Sequence, residues 1–259
     1  MFFVLFIVLI LVVLMVHELS HRRAMIKNGI KVPEAGLGIP IKGIPSLKIR
    51  ISSNLTFKIH PLLLGAYVMP ENEEAIEKLP YDKQAEIFGA GIIGNIIMGL
   101  ILTLPILILI TIKGNINTEI IIRLIIPFIL IPLFWKFSRQ ISAYIFPFLG
   151  IPLIAFLVWS IFAFGADETI IGPVGIVQLG LNMSTDIFQT ISLAAALSLG
   201  LAITNLLPLI PLDGGRITLG WISKTKINRK FKSGFMATGY ITLLLVITVM
   251  YYDISRVLS

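Results

Sequence analysis

Six stretches of this chain, near residues 2–26, 88–112, 119–137, 140–164, 187–211 and 234–252, are apolar over lengths that match a lipid bilayer. Hydrocarbon offers backbone amides no partner, so each stretch has to satisfy its own hydrogen bonds, and a single segment does that only as an α-helix. The chain is thereby restricted to an all-α polytopic membrane protein with about six transmembrane helices. Composition agrees, with 56% of the 259 residues hydrophobic and 14% charged. There is no cysteine, which removes disulfides and thiolate metal sites together. The net charge of +7 gathers beside the apolar stretches, where the bias of Lys and Arg toward cytoplasmic loops accounts for it without nucleic acid as a partner. The first stretch has neither a basic leader nor a small-residue cleavage site, so it is expected to be retained as a helix.

Residues 28–87 differ. They carry Gly36, Gly38, Gly43 and Gly65, alternating runs such as Leu47-Lys48-Ile49-Arg50-Ile51, and an acidic patch from Glu71 to Glu77. This pattern predicts a small β-hairpin or sheet lying at the membrane surface. The third and fourth stretches are so close that they should form a tight antiparallel hairpin, bent by Pro127, Pro132, Pro147 and Pro152. If six helices alternate in direction, the basic residues from Arg22 to Lys83, Lys136 with Arg139, and the cluster from Arg216 to Lys232 fall on one side. Lys113, Arg123 and Arg256 remain elsewhere. The richer side is cytoplasmic and the N-terminus lies outside.

Inside the first stretch, His17, Glu18, Leu19, Ser20 and His21 spell H-E-x-x-H. Histidines four residues apart share a helix face and can share a zinc ion, with the intervening glutamate beside it to handle protons. Ionisable groups at membrane depth are costly and are kept mainly for function. Counted from outside, His17 lies about 24 Å down the helix, toward the cytoplasmic face. A catalytic zinc takes three protein ligands and leaves one position open. His60 precedes Pro61 in a predicted surface strand, where a solvated or structural role is the simpler reading. Asp213 closes the run from Asn205 to Gly215, at the cytoplasmic end of the fifth helix and so at the depth of the histidines. Pro208 and Pro211 interrupt helical bonding there, and the irregular backbone should line a polar cavity; a plain Asp-Gly-Gly turn is the alternative. Asn205 could donate to a substrate carbonyl or developing oxyanion, or simply join two helices.

With these residues in view, the chain resembles the site-2 protease family of intramembrane zinc metalloproteases, peptidase family M50. The family's H-E-x-x-H corresponds to His17 through His21, its Asn-x-x-Pro to Asn205 with Pro208, and its Leu-Asp-Gly to Leu212 through Gly214. Gly91 and Asn95 resemble its G-x-x-x-N motif, which adds Asn95 to the substrate or oxyanion candidates, and Gly172-Pro173 resembles its Gly-Pro element. Ile92 stands where members often have proline. The resemblance implies a three-helix metalloprotease core, one zinc per chain on His17, His21 and Asp213, and Glu18 as general base. It also implies regulated intramembrane proteolysis, with transmembrane proteins as substrates and lipid as surroundings.

One integral-membrane domain, 1–259, is expected. Its parts are the first core helix (1–27), surface strands and acidic segment (28–87), second core helix (88–112), inserted helix pair (113–165), outer Gly-Pro segment (166–186), third core helix (187–223), and a basic loop with the last helix (224–259). Neither a PDZ nor a CBS domain is expected in it. The multi-pass chain would sit in the cell membrane with its active site toward the cytoplasm. Because a helical substrate must unwind before its carbonyls can be attacked, Gly65, Ala66, Tyr67 and Val68 could offer a strand edge to the extended peptide; a purely structural hairpin is the alternative. A transporter or metal permease could also use the His/Asp cluster as an ion site. It has no particular need for Glu18, and the halves show no inverted repeat. The prenyl-protein type of membrane metalloprotease takes a glutamate as third ligand, and no glutamate follows Glu168. A catalytically dead adaptor would not need the intact motif.

Overall fold

The uncharged run from Phe2 to Val16 opens α1 (Phe2–Lys27) in the computed structural model, which describes residues 1–112 apart from 42 and 64, residues 173–225, and parts of 232–255. Its 26 residues give a rod of about 39 Å, enough to cross hydrocarbon. Phe6, Val13, His17, His21 and Ala24 recur at helical spacing and are buried. Val4, Val8, Val12, Leu19 and Ile26 are exposed, as apolar side chains facing lipid should be. The histidines therefore lie on the face that packs against protein.

Four strands follow: β1 (Glu34–Leu37), β2 (Leu47–Ser52), β3 (Leu55–Ile59) and β4 (Ala66–Met69). They form one mixed sheet in the order β2-β3-β1-β4. β1 runs parallel to β3, with Ala35 opposite Phe57, and antiparallel to β4, with Gly36 opposite Tyr67. β4 is thus an edge strand, and it packs beside α1. The short helix α2 (Glu74–Lys78) occupies the acidic patch.

Helix α3 (Tyr81–Ile112) starts well before the apolar stretch expected from residue 88. The polar residues of its first turns are helical because they are paired. Glu86, buried, meets Lys27 Nζ at 2.6 Å and Lys83 Nζ at 3.7 Å, and Gln84 donates to the carbonyls of Glu77 and Leu79 at 2.9 Å. The Lys27 bond ties the end of α1 to the beginning of α3. Within the segment expected as an outer Gly-Pro connection, residues Pro173–Met183 are helical, as α4. Helix α5 (Ile187–Asn205) is capped by the Asp186 carboxylate, which accepts from Gln189 N at 2.8 Å. It stops at Asn205 rather than near 211, because Pro208 cannot continue the hydrogen-bond ladder. After a turn, α6 (Asp213–Lys224) begins with the aspartate itself.

The described residues are mostly helical with this small sheet, and three helical stretches among them are long and apolar enough to span: Phe2–Lys27, Tyr81–Leu104 and Ile187–Asn205. The expected third and fourth spans, 119–137 and 140–164, lie outside the described residues, as does Gly172; the sixth, 234–252, is described only in part. α3 is central, packing against α1, α5 and α6. One apolar cluster joins Ala85, Ile92 and Ile96 of α3 to Ala202 of α5 and Ile217 of α6. A second joins Ala24 and Met25 of α1 to Ile76 of α2 and Ile87 of α3. His17, His21 and Asp213 stand on the helices these clusters hold together.

Candidate metal centre

One turn of α1 separates His17 from His21, and their rings stand edge to face with centroids 4.7 Å apart. The two Nε2 atoms are 3.1 Å apart. His21 Nδ1 is 2.7 Å from the carbonyl oxygen of Ile87, which can only accept, so Nδ1 carries a proton, and in the neutral ring Nε2 then keeps its lone pair. Both histidines are buried.

Asp213 arrives from the opposite side, on the first residue of α6, where a helix N-terminus favours a carboxylate. Its position depends on the turn after α5 folding back tightly. Gly214 lies against the chain there: a Cβ on it would stand 2.5 Å from the Leu206 carbonyl oxygen and 2.6 Å from that of Leu207. Asp213 Oδ2 consequently reaches 3.2 Å from each histidine Nε2. Asn205 ends α5, and the turn separates it from Asp213.

The three atoms fit a metal. Donors about 2.0–2.1 Å from a tetrahedral zinc stand about 3.3 Å apart, and here the separations are 3.1, 3.2 and 3.2 Å. Asp213 Oδ2 is buried without a hydrogen-bond partner, which is costly for a carboxylate oxygen unless a cation meets it. Among the described residues, His17, His21 and Asp213 form the one group of this kind able to share an ion. His60 stands apart from it, with Nε2 3.1 Å from the Tyr67 hydroxyl.

A cavity of about 780 Å³ opens beside the group, lined by the three grouped side chains together with Glu18, Tyr67, Val68, Asn205 and Arg216. Glu18 is only half-buried, unlike the histidines that flank it. Residues 5–246 match the family model described as peptidase family M50. The chain belongs to peptidase family M50. This M50 chain is 36% identical over 93 residues to a protein of Synechocystis sp. described as a candidate zinc metalloprotease, a match covering 33% of the chain and 25% of that protein. It is 36% identical over 94 residues to the zinc metalloprotease RasP of Bacillus licheniformis, covering 34% of the chain and 22% of RasP. The matched part spans about a quarter of the length of these curated relatives.

Around the three grouped side chains of this M50 chain, the remaining candidates divide. Asn205 borders the cavity, with Nδ2 donating to the Leu201 carbonyl at 3.0 Å. Asn95 is fully buried on α3, its Nδ2 3.0 Å from His17 Nδ1. Gly65, with φ at +109°, leads into β4, where Ala66 pairs with Leu37 and Tyr67 and Val68 border the cavity. Behind β4, the Tyr67 hydroxyl donates to Glu34 at 2.8 Å, and Lys58 Nζ reaches the other Glu34 oxygen at 2.5 Å. Partial burial opposes charge on Glu34, but Lys58 and Tyr67 hold its carboxyl below the usual range. Burial and the Glu34 carboxylate push the Tyr67 hydroxyl up, so it remains a donor. This network braces the edge strand from behind.

Two contributors escaped the sequence reading. A backbone carbonyl such as that of Ile87 carries no residue-type signal. Arg216, whose guanidinium lies 5.5 Å from the Phe88 ring centroid, is one turn beyond Asp213, and that spacing could have flagged it.

Gly91 permits α3 to touch both rings: a Cβ there would stand 2.6 Å from His17 Cε1 and collide with His21 Nε2. Gly91→Ala should displace one ring, lowering zinc affinity along with stability by about 1–3 kcal/mol, typical of overpacking. Zinc titration with thermal unfolding of the purified variant checks this; wild-type values in both would mean the helices part without disturbing the ligands.

Proposed function

We propose that this chain is an intramembrane zinc metalloprotease of the site-2 type, hydrolysing peptide bonds within or near transmembrane segments of other membrane proteins. One observation carries the reading: three ligand atoms converge at zinc spacing beside a half-buried glutamate, on a helix apolar enough to span a bilayer. His17, His21 and Asp213 would hold one zinc per chain. When bound, zinc supplies Lewis acidity, drawing charge from a carbonyl oxygen and making water acidic enough to react near neutral pH.

The protein's own groups do the rest. Glu18 takes a proton from the attacking water as the new C–O bond forms, then returns it to the amine nitrogen as the C–N bond breaks. Asn205, at the cavity wall, would donate to the carbonyl oxygen of the substrate with the amide hydrogen that Leu201 does not take. The edge strand β4 offers Gly65, Ala66, Tyr67 and Val68 to an unwound peptide as a pairing partner, and its placement beside α1 supports that use. Asn95, the other oxyanion candidate, faces His17.

The larger arrangement is part of the same proposal: a single domain with six spans, of which the helices holding His17, Asn95 and Asn205 form the core, N-terminus outside and active site toward the cytoplasm. The distribution of Lys and Arg supports this orientation. Single cysteines placed near Lys230 should resist impermeant thiol reagents in intact cells and react after permeabilisation. Labelling without permeabilisation would reverse the orientation.

Purified protein should cleave a transmembrane substrate in a zinc-dependent manner and should not carry zinc across liposome membranes. Flux without cleavage would favour the permease reading.

A further inference from the structure

We propose that Asn95 fixes the ligating tautomer of His17, its side-chain carbonyl oxygen accepting a hydrogen bond from His17 Nδ1–H; this rests on the zinc reading above. A histidine that ligates through Nε2 must carry its proton on Nδ1, and that proton needs an acceptor. His21 has one in the carbonyl oxygen of Ile87, 2.7 Å away. For His17 the group at that position is the Asn95 amide, with Nδ2 3.0 Å from Nδ1 and Oδ1 buried without a partner.

In that orientation the amide donates to Nδ1 and suits the opposite tautomer, in which His17 Nε2 is protonated and cannot ligate. The two ends of a side-chain amide are nearly isosteric, so their chemistry decides which one faces a neighbour. With Nε2 on a metal, donor would face donor; a half-turn of the amide places Oδ1 against Nδ1–H instead. Asn95 is fully buried, and its backbone carbonyl accepts from Ser198 Oγ of α5 at 2.9 Å, so the main chain that carries the amide is pinned at this level. Asn205 borders the cavity and Asn95 does not. Asn95 is accordingly a positioning residue, acting on the metal through the ring of His17.

The test uses full-length protein in detergent, stripped of metal and titrated with zinc against a competing chelator, with cobalt absorption as a second readout. Asn95→Leu keeps the volume and removes the acceptor; affinity should fall about 10- to 100-fold, the usual loss when an outer-shell partner of a metal-bound histidine is removed. Asn95→Asp retains an acceptor and should keep zinc affinity and the cobalt spectrum close to wild type. Equal affinity in wild type and Asn95→Leu would overturn the assignment. So would equal loss in both variants, because a role in packing alone makes no distinction in favour of an acceptor. Should Asn95→Leu fail to fold, Asn95→Asp decides by itself: a folded protein with the wild-type cobalt spectrum supports the acceptor role, and one with a changed spectrum sinks it. Wild-type protein that takes up no zinc would instead sink the protease reading.

Discussion

Glu18→Gln is expected to leave one zinc per chain in place and to slow cleavage of a transmembrane substrate by about 100- to 10,000-fold, the range associated with losing a general base. Glutamine keeps the shape and polarity of the side chain but cannot take a proton. Glu18 is not one of the three grouped atoms, so its replacement spares them; it borders the cavity where substrate and water would meet. Metal analysis and gel-based cleavage on the same preparation separate the two effects. Turnover within a few-fold of wild type would remove Glu18 from the chemistry.

Asp213→Ala should act on the metal itself. It leaves His17 and His21 as two neutral donors and removes the only anionic one, so zinc affinity should fall by more than the 10- to 100-fold typical of an outer-shell loss, and cleavage with it. The helix supporting Asp213 should survive, since a carboxylate at a helix N-terminus contributes at most about 2 kcal/mol even where it is partly buried, and the apolar contact of Ile217 with α3 remains. Unchanged zinc content after dialysis against a chelator would mean another group supplies the third ligand.

Local patterns were legible in the sequence, and contacts between distant segments were not. The spacing of His17 and His21 places them on one helical face, and α1 realises it because nothing in Phe2–Lys27 competes with the helix. Asp213 could be matched in depth to the histidines from charge bias, but its approach to them depends on a tight turn against Gly214. The alternation in Leu47 to Ile51 signals a strand, whereas the parallel pairing of β1 with β3 joins segments about 20 residues apart and leaves no local trace. The polar start of α3 reads as surface until Lys27 is seen to neutralise Glu86. Similarly, the relation of Asn95 to His17 spans 78 positions of sequence.

The close fit of α1 on α3 also governs traffic. Gly94 meets the Ser20 side chain just as Gly91 meets the histidines, and Ser198 fastens α5 to α3 one level deeper. A peptide cannot pass through seams closed by direct atomic contact without dragging the ligands apart. In the proposed protease a peptide would therefore be expected to come and go along the cavity flank bordered by β4 and α6, dividing the described residues into a stationary wall and a doorway.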